Sequence, residues 1–187
     1  MKAIQVRYIA VLALAVATAS CTDSVRQGTG GSFLIVESLE AAEGGNTLRS
    51  DVITAGSVVN DLGVVTFGLG LKDPGRGTAP TQNLWITVDR YRVQYIRADG
   101  RNTPGVDVPY PLEGAITATV AGDGAEASFQ IVRHLAKAEA PLGALRLSPV
   151  VISTIAEVTF YGRDQTGHEV SVIARMSIDF GDFADSQ

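Results

Sequence analysis

Asp99, Asn102 and Asp107 sit close together in the stretch DGRNTPGVD, two carboxylates and an amide in one loop. Oxygen ligands of this kind are a start on the six to eight that calcium takes. The spacing matches no EF-hand, because there is no Asp-x-Asp-x-Asp-Gly run and no closing glutamate. The local alternative is that these side chains accept hydrogen bonds from nearby backbone amides and cap turns, and this reading is preferred. His134 and His168 are the two histidines and lie on separate elements; with one cysteine in the chain they make no transition-metal set. There is no Gly-x-Ser-x-Gly elbow and no Cys-His pairing for a nucleophile. The glycine-rich GTGGS and GLGLKD lack the strand-to-helix context of a phosphate loop. A carboxylate pair across a glycosidase cleft is not something a sequence displays. The expectation is therefore a non-enzyme with no catalytic residues and no cofactor.

Arginines are the remaining polar signal. Arg90 and Arg92 share one face of a strand, opposite Tyr91, Val93 and Tyr95, with Arg97 and Arg101 further along. Such a face is ordinarily solvated and crossed by carboxylates from neighbouring strands. Its functional counterpart is partner recognition, since exposed Arg and Tyr are enriched at interfaces.

Composition narrows the class. The formal charge is −5, and removal of Lys2 and Arg7 with a leader takes it to −7, which speaks against nucleic acid and anionic bilayer surfaces as partners. Hydrophobic residues make up 45% and charged residues 19%, so the chain is not expected to be disordered. The single cysteine, Cys21, allows no internal disulfide.

The setting of Cys21 is more telling. Lys2 and Arg7 precede the apolar run YIAVLALAVATA, about a dozen residues, too short for a transmembrane helix but suited to a signal-peptide core. Thr18-Ala19-Ser20 then leads directly into Cys21 and resembles the lipobox of bacterial lipoproteins, with Thr18 where that motif usually carries an aliphatic residue. The resemblance implies that Cys21 is lipidated and becomes the mature N-terminus, and multiple acyl chains give stable anchoring. The alternative is an ordinary secretory leader cut after Ala19 or Ser20, leaving a free thiol. Thr22 at the following position implies, by the same resemblance, the outer membrane.

The elements that position these groups are strands. Residues 84–99, LWITVDRYRVQYIRAD, form the longest strand-like run. Apolar residues fall on Leu84, Ile86 and Val88, then change parity to Tyr91, Val93 and Tyr95, which calls for a bulge near Asp89-Arg90 or for partial burial of both faces. Other strands are read at 33–39, 63–72, 115–120, 152–162 and 170–180, with Phe129 and Ile131 on the return from a Gly122-Asp123-Gly124 hairpin turn. Gly68 and Gly70 fall opposite the apolar face of their strand, where something can approach the backbone closely. Residues 41–54 read as loop, 101–111 as a rigid loop held by three prolines, and 135–142 as at most a short helix stopped by Pro141.

About seven strands with short turns make an all-β, antiparallel sandwich. Residues 1–20 are the leader, 21–32 the lipidated cysteine and a flexible tether, and 33–187 the sandwich. Trp85 on the third strand is similar in placement to the buried tryptophan of immunoglobulin domains, without their cysteines, so the likeness is to Ig-like or fibronectin-type architecture. Through RYRVQYIRADGRNTPGVDVPYP and VISTIAEVTFYGRDQTGHEVSV the chain resembles a group of uncharacterised bacterial lipoproteins. That implies an envelope protein and no particular activity; the expectation for the lipid-anchored chain is a binding or structural role toward another envelope protein or a glycan. The competing classes are a calcium- or glycan-binding module and an enzyme of unrecognised type.

Overall fold

In the computed structural model, residues 30–73 and 80–183 are described; the leader, Cys21 and most of the tether lie outside them. Eight strands form two packed sheets. They are β1 (Ser32–Ala41), β2 (Thr47–Asp51), β3 (Asp61–Leu71), β4 (Ile86–Ile96), β5 (Leu112–Val120), β6 (Ala125–Val132), β7 (Ile152–Asp164) and β8 (Glu169–Gly181). One sheet has the order β1-β3-β6 and the other β2-β8-β7-β4-β5. The helical segments are short: α1 (His134–Ala138) and two 3-10 turns, Gln82–Leu84 and Leu142–Leu145. No helix among the described residues is long and apolar enough to cross a membrane.

The parity change in the 84–99 run does produce a bulge. Ile86, Val88, Tyr91, Val93 and Tyr95 are all buried, and the register of β4 shifts between Val88 and Arg90 against both neighbours. Two stiff apolar patterns out of phase by one residue leave the ladder no other way to keep both in the core. Between the sheets, Phe160 of β7 meets Phe67 edge-on at 5.0 Å and Phe129 at 5.2 Å. The Tyr95 hydroxyl crosses the interface and donates to the carbonyl of Ile131 at 2.8 Å. β7 and β8 pair antiparallel over their whole length, and the alternation from Val170 to Phe180 faces inward.

Several expectations are corrected. There are eight strands rather than seven, because β2 lies inside the stretch read as loop; it pairs parallel to β8 and turns Leu48 inward, with buried Val52 just beyond it. The turn at Gly122-Asp123-Gly124 closes a single bridge, Ala121 to Gly124, and no ladder between β5 and β6. It carries the chain from one sheet to the other, since β5 and β6 belong to different sheets. Trp85 lies just before β4, the fourth strand, and is half-buried outside the core.

Gly68 and Gly70 behave as their positions require. Side chains of β1 lie across them, Glu37 over Gly68 and the Phe33 ring over Gly70, where a Cβ would collide.

Among the described residues, five buried polar side chains, Ser32, Ser50, Lys137, Thr154 and Asp164, interrupt the core, and each has a partner. Ser32 donates to the Leu84 carbonyl, Thr154 to that of Ile178, and Asp164 caps the β7–β8 turn. Lys137 and Ser50 converge on Asp61: the Lys137 Nζ lies 2.7 Å from Oδ1, and the Ser50 hydroxyl donates to Oδ2 at 2.6 Å. This triad pins α1 against β2 and β3.

Candidate functional site

The loop carrying Asp99, Asn102 and Asp107 spends these side chains on its own backbone and arginines. Asp99 accepts from the Arg101 amide at 3.1 Å and from the guanidinium groups of Arg97 and Arg101, at 2.7 and 2.9 Å. Those hydrogen bonds, Arg97's first, hold its carboxyl well below the usual range. Asp107 accepts from the Thr103 amide at 3.1 Å. Asn102 points backward, accepting from the amide of Arg97 at 2.6 Å rather than from its own turn. Gly100 and Gly105 take positive φ, +80° and +75°, which glycine adopts without a Cβ penalty. The three side chains thus face separate donors and do not converge. Among the described residues no group of three His, Cys, Asp or Glu is placed to hold a metal ion.

The histidines are also taken up locally. His134 Nδ1 lies 2.9 Å from the Asn60 Oδ1, which also accepts from the His134 amide. His168 places its Nδ1 2.9 Å from Asp164 and 2.7 Å from the Thr166 hydroxyl. Burial pushes the Asp164 carboxyl up, but hydrogen bonds from Thr166 and His168 more than offset this and lower it below its usual value. Gly30 rests against this turn, so the chain enters the sandwich at the β7–β8 end.

Arg90 and Arg92 stand where their spacing put them, on the outward face of the five-stranded sheet. Arg92 meets Glu113 of β5 at 3.5 Å. Arg175 and Arg163 similarly meet the cross-strand Glu157 and Glu169 at 2.6 and 3.7 Å. Arg90 differs: its guanidinium lies over the Tyr161 ring, 4.3 Å from the centroid. Neither Arg90 nor the adjacent Asp89 has a hydrogen-bond or ionic partner among the described residues.

The bulge gives this face its relief. At Gly162 the bulged backbone of β4 comes so near that a Cβ would sit 2.5 Å from the Thr87 carbonyl oxygen and 2.9 Å from the Val88 Cα. Beside that bare position lies a depression of about 470 Å³ lined by Asp89, Arg90, Tyr161, Arg163, Glu169 and Ser171, among others. It shares Asp89 and Arg90 with a second, of about 320 Å³, that reaches Glu113, Gly114 and Ala115 on β5. It shares Arg163 and Glu169 with a third, of about 360 Å³, that ends at His168. Together they make one open trough running across β5, β4, β7 and β8.

From the sequence, Arg90 was visible as part of this site. Asp89, Tyr161, Arg163 and Glu169 were not, because they come from three strands and only the sheet order places them side by side. A signal for the location was present in the parity change, since bulges recur beside active sites, but the sequence reading takes it only as a bulge.

No protein-family model and no curated protein matches the chain. Among solved structures, a structural-genomics target aligns over 84% of this chain and 92% of its own at 12% identity, with a TM-score of 0.37. A Bordetella pertussis protein that carries the name ApaA aligns over 83% of this chain and 98% of its own at 11% identity, with a TM-score of 0.35. These likenesses assign neither family nor activity to the chain.

Proposed function

We propose that the protein is a lipoprotein of the bacterial cell envelope, held in the outer membrane through Cys21, whose Ig-like sandwich binds a partner without catalysis. The anchor rests on the basic, apolar leader that ends at the lone thiol. The binding role rests on one observation: the open trough on the five-stranded sheet, with Arg90 and Asp89 at its centre and without ionic partners among the described residues. A solvated sheet face tends to pair its charges across strands, as Arg92, Arg163 and Arg175 do here. Asp89 and Arg90 have no ionic partner among the described residues, Arg90 resting only on the Tyr161 ring, and their charges are instead free to meet a ligand.

Two measurements test this reading. Cys21→Ser should move the protein from the membrane to the soluble fraction with an unchanged unfolding midpoint; mass spectrometry showing an unmodified Cys21 in the native protein would remove the anchor. A photo-reactive residue at position 90 should cross-link to envelope material in intact cells, whereas one at position 126 on β6 should not. Equal yields at the two positions would remove the binding face.

A further inference from the structure

We propose that the trough binds an oligosaccharide chain, uncharged or zwitterionic rather than polyanionic. This rests on the reading of the five-stranded sheet as the binding face and narrows it to one ligand chemistry.

Shape comes first. Small-molecule sites enclose most of their ligand, whereas this one is open along its length. It crosses three strand spacings, about 14 Å, enough for several linked rings. A polymer suits it better than a metabolite.

Charge comes next. Arg90 and Arg163 are balanced by Asp89 and Glu169, and Glu113 at one end is tied to Arg92. A site for a polyanion would show an excess of cations, as phosphate-binding surfaces do. This one is lined by two arginines and three carboxylates, so cations are not in excess.

The lining then separates glycan from protein. Protein partners are held by apolar and aromatic anchors sunk into desolvated pockets. The trough offers one tyrosine ring and no apolar pocket; Gly114 and Gly162, which also line it, are inward-parity positions where no Cβ fits. At Gly162 the obstacle is the β4 backbone, and at Gly114 it is the Tyr91 ring below. Carboxylates accept from hydroxyl groups and guanidinium groups donate to them in two directions at once, so Asp89 and Arg90 match adjacent sugar hydroxyls. The Arg90 guanidinium lies over the Tyr161 ring, which fixes the direction in which the arginine meets those hydroxyls.

The test uses the full chain purified in a detergent that carries no sugar. It is titrated by calorimetry with N-acetylchitotetraose, cellotetraose and maltotetraose, with heparin as the polyanion. At least one neutral tetrasaccharide should bind saturably at micromolar to millimolar concentration. Arg90→Ala and Tyr161→Ala should each weaken that binding roughly tenfold, while Glu126→Ala on the other sheet leaves it unchanged. Unfolding midpoints of the three variants confirm that they are folded. Binding of heparin alone, or binding indifferent to Arg90→Ala and Tyr161→Ala, overturns the proposal. No binding of any probe, together with protein cross-links from position 90, overturns the glycan assignment and leaves the binding face standing. No binding and no cross-links overturn both.

Discussion

Lys137 is a charged side chain with no exposure, on a helix of five residues, and its removal should be less harmful than the removal of its partner. The Nζ lies 2.7 Å from Asp61, whose side chain keeps 13% exposure. At that distance the attraction is about 6 kcal/mol at an effective dielectric near 20, and desolvation of the two ions offsets most of it. Asp61→Ala leaves the ammonium buried and unpaired, which costs about 3–5 kcal/mol. Lys137→Met keeps the volume and leaves Asp61 with the Ser50 hydroxyl and some access to water, at a cost of about 1–3 kcal/mol. With both changed, no charge is stranded, so the double variant should be more stable than Asp61→Ala alone. The assay is urea unfolding followed by the fluorescence of Trp85, the single tryptophan. Two single losses that sum to the double loss within about 0.5 kcal/mol, or an Asp61→Ala loss below about 1 kcal/mol, would refute the assignment of a buried, coupled pair.

Two further outcomes follow from the geometry. Gly162→Ala should destabilise by about 1–3 kcal/mol, because the added methyl meets backbone atoms of Thr87 and Val88 that cannot rotate away; a wild-type urea midpoint would show that the bulge yields freely. Asp164 has a folded pKa below its unfolded value, so its contribution is present above about pH 4 and is lost as pH falls through the folded pKa. Urea midpoints measured down a pH series should drop on the acid side, and the drop should be shallower in Asp164→Asn; parallel curves would contradict it.

Where strands are long and half-buried, side-chain periodicity carries the fold. The run from Val170 to Phe180 and the phase change between Val88 and Tyr91 were both legible because every second residue is strongly apolar. β2 was not, since five residues with Leu48 and Ser50 as their inward positions give periodicity almost nothing to register. The Gly122-Asp123-Gly124 turn satisfies the same backbone demands whether the chain returns in its own sheet or crosses to the other, so sequence cannot distinguish the two. Lys137 was missed because residue type argues for solvent, and its burial depends on Asp61, 76 residues away. The trough was half legible: Arg90 announced a face, and strand order, which no local pattern encodes, supplied the rest.

The parallel pairing of β2 with β8 sets an order of events in time. Thr47 pairs with Ser177 and Asp51 with Gly181, so each contact joins residues 130 apart. During synthesis from the N-terminus, the backbone of β2 has no strand to join until nearly the whole described chain has emerged. Leu48 and Val52, both buried in the finished sandwich, stay without their cover for the same interval. Closing so large a loop costs entropy before any pairing repays it, which makes folding slow and late. A chain stopped short of β8 loses two strands of the five-stranded sheet at once, and its exposed apolar surfaces then invite aggregation unless a chaperone holds them. The last strand to appear is the seam that closes the first half of the molecule.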